Sequence, residues 1–160
     1  MKKIRNPYDP GENKCFGCST ANPLGLKLQF TESEEAMHAE WVPSEFYQGY
    51  PNVLHGGIIA ALLDETSAWC VSVKKGTAGV TSEMRTRYLQ PVYLNKGVIS
   101  LRAVITKSDD RSATVVCTLS DSQSKVCAES EAEFFLYPEQ VARRKFRYPG
   151  KEAFYEPDAG

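Results

Sequence analysis

The sequence predicts an α+β fold in which a curved antiparallel sheet wraps around one long central helix. Three observations carry that expectation. Leu54–Val73, LHGGIIAALLDETSAWCVSV, is apolar on nearly every side, the mark of a helix buried on most faces rather than lying on a surface. Ahead of it, two runs alternate apolar and polar residues around a polar turn, as a hairpin does. Behind it, three period-two runs follow one another through short polar turns, the pattern of an antiparallel meander. A single apolar helix between hairpin and meander needs a sheet curved about it.

In chain order, residues 1–22 are rich in Pro, Gly and Asn and read as a loop-like N-terminal arm. Residues 23–137 form the domain proper. Leu26, Leu28 and Phe30 alternate with Lys27 and Gln29 in a half-buried strand, Thr31–Glu35 turns, and Ala36–Val42 returns. An aromatic, glycine-containing loop, SEFYQGYPNV, delivers the chain to the helix, which ends at Lys74, Lys75 and Gly76. Lysines favour the negative end of a helix dipole, and glycine favours the turn beyond it. Val80–Leu89 is strand-like and Pro91 breaks it. Gly97–Lys107, Ala113–Leu119 and Lys125–Leu136 follow, joined by turns at Asp109–Arg111 and Asp121–Ser124. Residues 138–160 lack a clean pattern and read as a partly ordered C-terminal tail with a short helix over Glu139–Lys145.

Composition narrows the function classes. A chain of 160 residues is the size of one domain with a full core. A net charge of -1 argues against nucleic acid as a partner, because phosphate binding calls for a basic surplus. No apolar run reads as a membrane span, and MKKIRNPYDP lacks the apolar stretch of a signal peptide, so a soluble cytoplasmic protein with no membrane partner is expected. The five cysteines read as reduced thiols. Cys15 and Cys18 form a CxxC, but no second CxxC or HxxxH completes a zinc set, so we expect a turn with inward-packed thiols, no metal and no cofactor.

Chemistry concentrates on the helix. Asp64 and Glu65 stand side by side, but at about 100° per residue they face different ways. Asp64 shares its face with Gly57, Ala60, Ala61, Ala68 and Val71, mostly small residues, which leaves room for a ligand or another helix. Glu65 lies with Ile58, Leu62 and Trp69, a packing face. Asp64 is therefore the candidate reactive group, although the helix alone leaves open that both are ends of buried ion pairs. Gly56-Gly57 starts the helix, where unpaired N–H groups can receive an oxyanion. From Gly57 to Asp64 is seven residues, about 10 Å of rise, whereas catalytic contacts are about 3 Å. If both serve one substrate, they come from two copies of the helix, which predicts a homodimer or larger homo-oligomer with composite sites.

LHGGIIAALLD, GVTSEMRTRYLQP and CFGCSTANPLGL resemble the hotdog-fold acyl-CoA thioesterases, in the branch of the phenylacetic-acid-degradation enzymes, over roughly Pro23–Leu136. The resemblance implies hydrolysis of an acyl- or aryl-CoA to free acid and CoA. It gives Asp64 the role of base or nucleophile, the Gly57 N–H that of oxyanion donor from the partner subunit, His55 that of orienting the site, and Thr81 that of positioning water. Gly56, Asn52, Ser82, Arg85 and Arg87 would bind substrate, with Lys74, Lys75 and Arg143–Lys145 as further cations for CoA phosphates. One departure is Gly49, where related enzymes often carry asparagine, with Gln48 or Asn52 as possible substitutes.

Two other functions compete, beside a purely structural dimer module that the carboxylate makes less economical. The loop FYQGYP resembles the hotdog dehydratases, but the position of their catalytic histidine is Phe46. A non-catalytic acyl-CoA sensor on the same fold would not need Asp64. Phe46, Tyr47, Tyr50 and Trp69 are the aromatic residues available to line an acyl or aryl pocket.

Overall fold

The apolar stretch forms helix α1, Gly56–Lys74. His55 caps its start, and it stops where Lys75 N–H bonds Val71 O and Gly76 takes φ +67°. Ile59, Leu62, Leu63, Trp69, Cys70, Val71 and Val73 are buried. Thr66 and Ser67 sit among them because each hydroxyl donates to a carbonyl one turn back, on Leu62 and Leu63, at 2.8 Å. The computed structural model describes residues 1–157.

Seven strands make one antiparallel sheet: β1 Lys2–Ile4, β2 Phe30–Glu32, β3 Met37–Trp41, β4 Gly79–Tyr88, β5 Ile99–Ser108, β6 Ser112–Ser120 and β7 Val126–Leu136. Their order is β1-β2-β3-β5-β6-β7-β4, so β5, β6 and β7 are the expected meander and β4 closes onto β7 as an outer strand. Helix α1 packs against β3 through β7, which is the hotdog arrangement of a sheet wrapped about one helix. By length and composition α1 could cross a membrane, contrary to the expectation that no run would qualify. Its apolar residues are instead spent on the sheet, as in the core helix of a globular domain.

Three expectations need correction. The first hairpin is shorter than the alternation suggested, because Leu26 and Leu28 are buried but lie off the sheet. Their N–H groups bond Phe16 O and Gly17 O at 2.7 and 2.9 Å, so the arm takes the pairing that a strand would have used. The arm itself is not loose, since β1 pairs with β2 and Ile4 and Cys18 are core residues. Nor is the tail merely appended, as far as its residues up to 157 are described; residues 158–160 lie outside the described ones. Helix α2, Glu139–Phe146, falls where the short helix was expected, and beyond it Tyr148 and Phe154 are fully buried.

Phe154 sits edge-on to Trp69 with ring centroids 5.4 Å apart, and the Tyr148 hydroxyl donates to Ser72 O at 2.9 Å. Phe154→Ala should therefore behave as a core truncation, lowering unfolding free energy by about 3–5 kcal/mol in a denaturant titration. A loss below ~1 kcal/mol would mean that the tail is only draped on the surface.

Candidate active site at the outer strand

The site begins with how α1 starts. Gly57 N–H donates to His55 Nδ1 at 2.8 Å, which satisfies one of the unpaired donors of the first turn. A neutral His55 that accepts there carries its proton on Nε2. A Cβ on residue 57 would stand 3.1 Å from that same Nδ1, so glycine leaves room for the imidazole to fold back over the amide. His55 and Gly57 are both exposed, and the Tyr88 hydroxyl donates to Gly56 O at 2.9 Å, tying the helix start to the end of β4.

About two turns further along, Thr81 Oγ1 donates to Asp64 Oδ1 at 2.7 Å. The carboxylate is half-buried and the threonine is exposed, so the pair lies on the flank where α1 meets β4 rather than in the interior. Thr81 and Tyr88 are seven residues apart, and strict alternation would put them on opposite faces of the strand. The register of β4 on β7 slips between Thr81 and Glu83, and that bulge brings both hydroxyls to the helix side. Clefts lie along the arm, on the β2–β3 face and on the outer face of β4 beside Arg85 and Arg87, and none of these is lined by Asp64. Asp64 thus stands on an open flank that a second surface would have to cover.

Glu65 points the other way. Its Oε1 accepts from Trp69 Nε1 at 3.0 Å and from Cys15 Sγ at 3.4 Å, under the N-terminal arm. Burial first, then the charge on Cys15, raises its carboxyl to about 7. The Cys18 thiol, aided by the Gly17 and Cys18 N–H groups and opposed by burial, lowers Cys15 to about 5, while Cys18 itself is pushed up. The most perturbed carboxyl is therefore enclosed and away from the α1–β4 flank.

A family model described as the thioesterase superfamily matches residues 51–128, from the loop before α1 to the start of β7. A solved structure of RHA08564, a thioesterase superfamily protein, superposes with a TM-score of 0.69 at 25% identity, over 78% of this chain and 60% of that one. The match covers just under half of this chain, and over that stretch the chain is similar to the thioesterase superfamily. Within that superfamily, mouse acyl-coenzyme A thioesterase THEM4 is 28% identical over 89 residues, which are 56% of this chain and 37% of that protein, so the chain spans little more than a third of the relative's length. The PaaI protein of the E. coli phenylacetic acid degradation operon shares the fold, with a TM-score of 0.65 at 16% identity over 71% of this chain and 82% of that one.

The remaining residues that the superfamily resemblance singled out divide into those near Asp64 and those that are not. Ser82, at the bulge, donates to Glu133 O at 3.0 Å. Asn52 takes φ +62° and exchanges hydrogen bonds with Asn95 at 3.1 and 3.2 Å, while Gln48 accepts from Asn52 N at 3.4 Å. Both amide side chains are spent inside the loop rather than turned to the carboxylate. Arg85 and Arg87 project from the face of β4 opposite Tyr88, and Arg87 pairs with Glu129 at 3.0 Å. Lys74 is bound to Glu32 at 2.7 Å and Arg143 to Glu139 at 2.7 Å. Of the aromatic candidates, Trp69 is stacked on Phe30 and Tyr47 packs on Trp41, leaving Phe46 and Tyr50 exposed in the loop. Tyr88, which anchors the helix start, was missed; only its place at the end of a strand-like run pointed to it.

Proposed function

We propose that this chain is an acyl-CoA thioesterase, in the manner of the phenylacetic-acid-degradation branch, acting as a homodimer or higher homo-oligomer with composite sites in a reducing cytoplasmic setting. The observation that carries the reading is the Thr81–Asp64 hydrogen bond, which fixes a carboxylate from the interior helix at the uncovered flank of the sheet. The name of the mouse relative and the match to the thioesterase superfamily over residues 51–128 support the substrate class. Five free cysteines accord with a reducing compartment.

Thr81 occupies one carboxylate oxygen and leaves Oδ2 for the reaction. In the base form of the mechanism, Asp64 takes a proton from water, the water oxygen bonds to the acyl carbon, the C–S bond breaks and the CoA sulfur leaves with the proton. In the nucleophilic form, Oδ2 bonds to the acyl carbon, the C–S bond breaks and CoA leaves as thiolate; water then cleaves the mixed anhydride to the free acid, and its other proton passes to the thiolate as the Asp64 carboxylate is restored. Either path places negative charge on the thioester oxygen, which a helix N-terminus stabilises. The Gly57 of the same helix is about 10 Å from Asp64 by helical rise, too far to share one carbonyl. The donor in this scheme is the partner's Gly57, with the thioester oxygen taking the place of the His55 imidazole on that N–H. Strand β4 supports the assembly: ten residues long, mostly exposed and paired on one side only among the described residues, it is the kind of edge that proteins cover. Arg85 and Arg87, on the outer face, would meet CoA phosphates only where the nucleotide end runs over the rim of the sheet.

The test is hydrolysis of a panel of aliphatic and aryl acyl-CoAs, with product acid measured directly because five thiols would react with a thiol dye. Turnover on at least one member is expected. Binding without turnover on any would transfer the chain to the sensor reading.

A further inference from the structure

The cluster beneath the N-terminal arm has no part in the chemistry proposed above. Cys15 Sγ, Cys18 Sγ and a Glu65 carboxylate oxygen all lie within 4.8 Å of one another. The sequence spacing offered only the two cysteines; the fold supplies the third donor from fifty residues away. The 3.4 Å between Cys15 Sγ and Glu65 Oε1 is close to the ~3.6 Å that separates a sulfur at ~2.3 Å and an oxygen at ~2.0 Å on a tetrahedral centre.

The surroundings hold these donors in place. Trp69 Nε1 fixes Glu65 from the side of the core at 3.0 Å. Gly17 lets the turn close on the helix, since a Cβ there would stand 2.5 Å from Glu65 Oε2. Among the described residues Glu65 forms no salt bridge with a lysine or arginine. Three acidic donors therefore converge in a largely buried place with no cationic side chain paired to the carboxylate.

We propose that Cys15, Cys18 and Glu65 bind a zinc-class divalent cation that clips the N-terminal arm to α1. Two thiolates and one carboxylate form a donor set suited to zinc rather than to magnesium or calcium. The thiol and carboxyl protons leave to solvent as the metal enters. Water fills the fourth position. Because Glu65 follows Asp64 directly, the clip also steadies the turn of helix that carries the proposed reactive carboxylate.

Cobalt(II) titration of the full chain, stripped with a chelator and kept under a non-thiol reductant, tests the site without any use of activity. One equivalent should bind with a thiolate-to-cobalt charge-transfer band and the strong visible absorption of a four-coordinate centre, and zinc should displace it. Cys18→Ser should lose much of that band. Gly17→Ala keeps every donor but displaces Glu65, and should weaken binding about ten- to a hundredfold. No charge-transfer band in the reduced wild-type protein overturns the proposal, even if a variant fails to fold. Binding that Cys18→Ser and Gly17→Ala leave unchanged overturns it as well.

Discussion

Asp64→Asn should lower turnover on the best acyl-CoA of the panel by about two to four orders of magnitude, the loss expected when a general base or nucleophile is replaced by an isosteric amide. Asparagine can still accept the Thr81 hydrogen bond, so the geometry of the flank should survive and the melting temperature should stay near that of the wild type. Thr81→Val removes the donor and keeps the carboxylate. Its cost should be smaller, about ten- to a hundredfold, the range of one hydrogen bond to a charged group. The ranking of the two variants is what matters. If Thr81→Val were the more damaging, Asp64 would be the supporting partner and the threonine hydroxyl the reacting one. If Asp64→Asn retained wild-type turnover, the carboxylate would be structural and the assignment would have to move. Glu65 is a poor second choice, because Trp69 and Cys15 hold it under the arm, on the side of α1 away from β4.

The opposed facing of these two adjacent acids was legible in the sequence, because a helix of known period sends consecutive side chains about 100° apart. Gly57, Ala60, Ala61 and Ala68 marked one face as uncrowded, and Ile58, Leu62 and Trp69 marked the other as core. The central helix and the meander were legible for the same reason: each repeats its period for long enough to be read. The bulge at Thr81–Glu83 was not. One extra residue in a strand leaves no mark on composition, yet it decides which of Thr81 and Ser82 meets Asp64.

The arm and the tail were misjudged for a different reason. Ile4, Cys18, Tyr148 and Phe154 are buried in segments that show no apolar periodicity. A lone apolar residue in a loop shows no periodicity, and whether it anchors or dangles depends on a surface built from remote sequence. Here that surface includes Trp69 and its neighbours on α1. The same remoteness hid the third donor beside Cys15 and Cys18. A rule that asks for more ligands at short spacing cannot see a carboxylate brought in by a helix. Pairing of the basic residues was hidden too, and Lys74, placed at the helix end for the dipole, proves to be held by Glu32.

Mixing two inactive variants should restore activity if the site is shared between subunits. Gly57→Pro removes the proposed oxyanion donor with little else, since the first helical turn tolerates proline and the glycine at 56 lacks the Cβ that would crowd its ring. Alone it should lose about a hundred- to a thousandfold in turnover, as for one oxyanion donor, plus about 1 kcal/mol of stability from the lost His55 cap. In a dimer that pairs an Asp64→Asn chain with a Gly57→Pro chain, one site combines both defects and is dead. The other combines the intact Asp64 of the second chain with the intact Gly57 of the first. Random reassociation of equal amounts makes half the dimers mixed, each with one good site of two, so activity should recover to about a quarter of wild type. A site built within one chain gives the opposite result, because every chain in the mixture then carries a defect in its own site. Activity equal to the mean of the two separate variants, in a sample shown by differential tags to contain mixed dimers, would remove the composite site from the mechanism.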